Sequence, residues 1–177
     1  QTSYFKGDFK WAKSQLKILK SSTTQLIAND AVDLFLIISD NEPKDSIPSG
    51  LIDFAKADLL AYQNKNIEAI ATYNKILEKY QGQNIEDETM FNQAAIYLKE
   101  KQYDKAISNL LKITTINADG ILVDDSYYLL AEIYKNNIKD PKKASEYYQK
   151  IIFDKPSSIY LVNARKKYRE LRGDVVN

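Results

Sequence analysis

The sequence predicts an all-α protein, an α-solenoid of antiparallel helix pairs, and three observations carry that prediction. A short residue pattern recurs at one fixed interval. Within each recurrence the apolar residues fall at the spacings of a single helical stripe. Each recurrence is divided by a short polar turn, so that one unit reads as two amphipathic helices folded back on one another.

The pattern begins at Ala57-Asp58-Leu59-Leu60, returns at Ala94-Ala95-Ile96-Tyr97 and again at Ala131-Glu132-Ile133-Tyr134, each start 37 residues after the last. Three residues before each Ala stands an aromatic: Phe54, Phe91 and Tyr128. A second Ala follows twelve residues later in two units, Ala69 and Ala106, and thirteen later in the third, Ala144. Four residues further come Tyr73, Leu110 and Tyr148, and three beyond those Ile76, Ile113 and Ile151. Steps of four and three keep these side chains on one helix face. The small Ala on each helix lets the pair approach closely, and the larger residues fill the space between units.

In chain order, nine helices are expected, near 8–20, 24–40, 49–63, 66–80, 85–99, 102–116, 121–136, 141–154 and 157–172. The first is read from Gly7-Asp8-Phe9 with Ala12, Leu16 and Leu19. The second is the apolar segment Leu26–Ser39. Asp40 to Gly50, with Pro43 and Pro48, forms a turn-rich connector. A break in helix pairing, visible as a change of curvature, is therefore expected near 41–49. Gln63-Asn64-Lys65-Asn66 and Lys99-Glu100-Lys101-Gln102 are the turns inside the first two units. In the third, Asp140-Pro141 provides an N-cap followed by Pro at the first helical position. The last helix carries Leu161, Ala164, Tyr168 and Leu171 on one face and Arg165, Lys166, Lys167, Arg169 and Arg172 elsewhere. It is expected to close the open end of the stack near 157–172.

Composition removes several function classes. Twenty-five Lys and Arg stand against 24 Asp and Glu, a formal charge of +1, without the basic excess of a nucleic-acid binder. Neither Cys nor His occurs, which excludes disulfides, thiolate nucleophiles, the usual zinc sites and histidine-based triads. No cofactor is expected: neither GxxxxGK[ST] nor GxGxxG is present. No apolar run is long enough to span a bilayer. The absence of Cys suits reducing and oxidising compartments alike. Glu86-Asp87-Glu88 and Asp124-Asp125 sit where helices begin and are read as answering the helix macrodipole rather than as metal or catalytic carboxylates.

These residues resemble the tetratricopeptide repeat, whose motif wants a small residue in each helix followed by large apolar ones. The resemblance covers nearly the whole chain, as a single domain over 1–177. Asp53 and Lys56 depart from it, standing where the motif prefers large apolar residues. The resemblance implies a right-handed superhelix whose first helices line a concave face. That face would present Phe54, Asp58 and Tyr62, then Glu88, Phe91 and Asn92, then Asp125, Tyr128 and Glu132. Phe54, Phe91 and Tyr128 would form a ladder able to grip a peptide; the alternative is that this aromatic packs within its own unit. The clamp of Lys, Arg and Asn by which the family seizes a terminal carboxylate has no counterpart, since Asp58, Phe91, Asn92 and Asp125 stand there.

The function implied is a protein–protein interaction scaffold and not an enzyme, with a protein or peptide partner. The pattern Lys155-Pro156-Ser157-Ser158-Ile159-Tyr160, followed by Ala164-Arg165, is similar to that of bacterial cell-envelope repeat proteins, which implies a periplasmic or envelope location and a role in assembly or secretion. The other reading is a structural spacer of a larger repeat protein. The chain opens at Gln1 in mid-repeat, so further repeats are expected upstream. An apolar N-terminal edge bearing Trp11, Leu16 and Leu19 would then favour a dimer.

Overall fold

The computed structural model describes residues 2–21, 25–42 and 50–174. Ten α-helices, and no strand, are found among them: α1 (Thr2–Phe5), α2 (Phe9–Leu19), α3 (Gln25–Asp40), α4 (Leu51–Tyr62), α5 (Asn66–Lys79), α6 (Ile85–Lys99), α7 (Tyr103–Ile116), α8 (Val123–Ile133), α9 (Pro141–Asp154) and α10 (Leu161–Arg172). The chain groups into two compact units, Gln1–Thr89 and Met90–Asn177. α6 starts in the first and continues into the second.

In the first unit, α2 packs on α3, and α4 on α5. Ala57 and Ala69 have no accessible surface, which is why small residues are needed there: they set the closest approach of α4 to α5. Phe54, Tyr73 and Ile76 fill the space around them. Gly50 starts α4 with φ +75°, and a Cβ there would lie 2.9 Å from the Tyr80 ring, so both conformation and space demand glycine. In the second unit, α8 packs on α7 and α9, and α9 also on α10. Ala131, Ala144, Tyr148 and Ile151 are buried at the corresponding positions.

One device makes the turns. At Asn64 and Lys101 the chain enters the left-handed region, φ +59° and +58°. Lys65 N–H then donates to Leu60 C=O and Asn64 N–H to Ala61 C=O, while Gln102 and Lys101 repeat this on Tyr97 and Leu98. Such crossed bonds close a helix by satisfying its last carbonyls. Gly7 and Asp8 do the same after α1. The third internal turn is wider: Tyr134–Ile138 forms a π-helical turn, and Lys139 takes the left-handed position at φ +64°. Asp140 caps α9 as expected, its side chain accepting from Lys143 N–H.

Three expectations need correction. Thr2–Phe5 is helical, so a short helix precedes the one expected to come first, near 8–20. The segment expected as 121–136 leaves regular α-helix at Ile133, because thirteen rather than twelve residues separate its two alanines and the π turn absorbs the extra one. The last helix begins at Leu161 and not near 157: Ser158 and Leu161 N–H groups bond to Lys155 and Ser158 carbonyls, which makes the intervening residues a turn. Of the connector expected to break the pairing near 41–49, residues 43–49 lie outside the described residues.

Candidate interaction surface

In the first unit the acidic position beside the buried Ala is a hydrogen-bond hub. Asp58 on α4 accepts from the Tyr73 hydroxyl on α5 and, at 2.8 Å, from the Tyr4 hydroxyl on α1. Both phenols are buried, so the carboxylate satisfies two donors that water does not reach. Burial, then the Asp58 charge, push the Tyr4 hydroxyl far above the ordinary phenol range, with a smaller push from Glu88. Glu88 itself is 8% exposed. Phe54 has no accessible surface and packs against Tyr73, ring centres 5.8 Å apart. Of the four residues expected to face a groove here, Phe54 and Glu88 are therefore core, and Asp58 is turned to its tyrosines. Phe54 is buried because the residue three before the small Ala shares its inward face. Tyr62 stays 67% exposed, its ring 5.9 Å from that of Phe5.

The second unit repeats the hub with a cation added. Glu132 on α8 accepts from Tyr148 on α9, from Lys167 on α10 and, at 2.9 Å, from Asn136. Burial alone would raise its carboxyl, but the bonds from Lys167 and Tyr148 outweigh that and hold it below the usual carboxylate range. The same register continues along both helices. Tyr160 donates to Asp125 at 2.7 Å, Asn163 to the Tyr128 hydroxyl at 2.9 Å, and Lys135 pairs with Glu170 at 3.4 Å, each 35 residues apart. Tyr128 also stacks on Tyr160, centroids 4.3 Å apart. Asp125, Tyr128 and Glu132, expected to face a partner, thus spend their polar groups on the chain's own segment from Tyr160 to Lys167. Phe91 and Asn92 on α6 are half-buried, and Ala95 is exposed.

Sequence reading missed both hubs, although a signal was present. In the 37-residue register, Asp58, Ala95 and Glu132 correspond, and so, with the one extra residue of the third unit, do Tyr73, Leu110 and Tyr148. Acid and phenol occur together or are both replaced by apolar residues. The middle pair, Ala95 and Leu110, instead has a neighbouring contact in which Asn109 donates to Gln93 at 3.0 Å and to Met90 C=O at 3.2 Å, linking α7 to α6.

Among the described residues no group of His, Cys, Asp or Glu side chains is arranged to hold a metal ion, and no helix is long and apolar enough to cross a membrane. No curated protein and no solved structure gives a significant match to the chain. The tetratricopeptide-repeat family model matches residues 87–119 and 124–152. These segments are, to within a few residues, the helix pairs α6–α7 and α8–α9. The chain is thus an all-α protein that carries tetratricopeptide repeats over those two pairs.

Proposed function

We propose that the chain is a protein-interaction scaffold that holds a partner segment on the first helices of its repeats. The observation that carries this reading is the match of two helix pairs to a repeat whose use is protein binding, with accessible side chains left on a first helix at Phe91, Asn92 and Ala95. Tyr62 offers a further exposed aromatic in the first unit. Binding rather than catalysis also follows from a sequence without His or Cys. A place in bacterial envelope assembly or secretion rests on the resemblance of the pattern from Lys155 to Arg165 alone.

A second reading, a spacer or oligomerising segment, is favoured by α2, where Trp11 is 55% and Ile18 is 67% exposed. Leu16, expected on that edge, is buried within its own unit. Affinity capture from a lysate of the source organism separates the two. Wild type would be compared with Phe91→Ala/Asn92→Ala and with Trp11→Ala/Ile18→Ala, each checked for unchanged helicity. A partner lost only in the α6 variant is expected. Loss only in the α2 variant selects the second reading, and a partner held equally by all three overturns both.

A further inference from the structure

A different surface of the first unit carries a chemistry of its own. Lys10, Lys13 and Lys17 on α2, and Lys20 at its C-terminal cap, follow one another at steps of three, four and three. Helical geometry gathers them into an arc of about 80° and a line of about 15 Å. With Ser14, with Phe35 of α3 and with Glu42 just beyond the end of α3, three of these lysines line a groove of about 340 Å³. Phe35 forms an aromatic floor: the Lys20 ammonium lies 4.2 Å and the Lys13 ammonium 5.5 Å from its ring centre. Lys13 also holds the Glu42 carboxylate at 2.9 Å. Lys10 and Lys17 are exposed and have no carboxylate partner among the described residues.

We propose that this groove docks an acidic, extended polypeptide segment, at a site separate from the first-helix surface. Three features select that occupant. The four lysines are spread along about 15 Å of the chain, so they match a series of carboxylates better than a single phosphate. The groove already seats one carboxylate, that of Glu42, which shows the chemistry it accepts and makes Glu42 an internal competitor. The chain as a whole carries a net charge of only +1. A nucleic-acid backbone, which needs broad positive potential, is disfavoured by that balance, while a narrow acidic strand follows the lysine line alone.

The test is a titration of a fluorescein-labelled octaglutamate peptide, read by anisotropy at low and high salt. Saturable, salt-sensitive binding to the wild type is expected. Lys10→Glu/Lys17→Glu should weaken it by about ten-fold or more, since two desolvating ion pairs become repulsions. Glu42→Gln should tighten it by about two- to three-fold by freeing Lys13. Lys65→Glu/Lys75→Glu makes the same change in net charge on exposed positions elsewhere and should cost less than about two-fold. Circular dichroism on each variant establishes that the helices are intact. Equal losses in the two double variants would reduce the effect to net charge and overturn the site. So would an undiminished affinity in Lys10→Glu/Lys17→Glu. Failure of octaglutamate, with a labelled oligonucleotide or anionic phospholipid vesicles binding in the same lysine-dependent way, would reject the peptide as occupant.

Discussion

At Asp58 and at Glu132 a first-helix carboxylate accepts the hydroxyl of a second-helix tyrosine, but the neighbour that completes the hub differs. Asp58 serves a second phenol, Tyr4, which is 2% exposed and has no access to water if its acceptor is lost. Glu132 serves Lys167, whose side chain is 23% exposed and can turn outward. A formal ion pair would ordinarily be ranked above a bond between carboxylate and phenol. The comparison reverses that order for stability, because the cost of removing an acceptor is set by the donors left unable to rehydrate.

The largest effect expected is therefore at the hub without a cation. Asp58→Ala should destabilise by about 2–5 kcal/mol, since two buried phenols lose their carboxylate acceptor, and Glu132→Ala by about 1–3 kcal/mol, since one does. Urea unfolding of the two variants checks the order, and a greater loss at Glu132 breaks the comparison. Next comes the coupling within the second hub. Replacing Glu132 and Tyr148 together by the Ala and Leu of the middle repeat should cost less than the two single changes combined, with an interaction energy of about 1 kcal/mol in a double-mutant cycle. Additivity would mean that acid and phenol do not act as a pair.

Acidity separates the hubs further. Glu132 is held below its unfolded value of about 4.3, so its contribution is complete above that pH and is lost as pH falls through the lower folded value. Lys167 is shifted the other way: burial would lower it, but the bond to Glu132 raises it, so its contribution is present below about 10.4 and lost as pH rises through the higher folded value. Amide exchange in α10 should accelerate at both extremes. Lys167→Ala should flatten both limbs, and an unchanged pH profile in that variant would falsify the assignment. The smallest effect is a calibration. Lys56 pairs with Asp53 at 3.4 Å on an exposed face, and Lys56→Ala should cost no more than about 0.5 kcal/mol in the same urea assay.

The helix pairs were legible because their signal is local. Ala57 and Ala69, or Ala131 and Ala144, announce close packing by size alone, and Asp140-Pro141 announces a cap by chemistry. Thr2–Phe5 was not legible, since four residues are too few to show a helical period. The site residues were harder for a different reason. An acid on a helix reads as facing solvent until its partner is known, and these partners of Asp125, Tyr128 and Glu132 lie 35 residues downstream, at the start of α10 or within it. Glu88 was misread in the same way: its place in the first turn of α6 is visible in sequence, its burial is not.

The π turn after α8 bears on how such a chain tolerates changes in length. Tyr73 follows Asp58 by fifteen residues, whereas Tyr148 follows Glu132 by sixteen, yet both pairs meet. The surplus residue is taken up inside Tyr134–Ile138, upstream of the cap, and does not pass into α9. A single-codon insertion or deletion at that point can be absorbed without shifting the buried face of the next helix. Neighbouring repeats can therefore drift apart in length while their partners stay matched, and what is inherited from unit to unit is the pairing rather than the count.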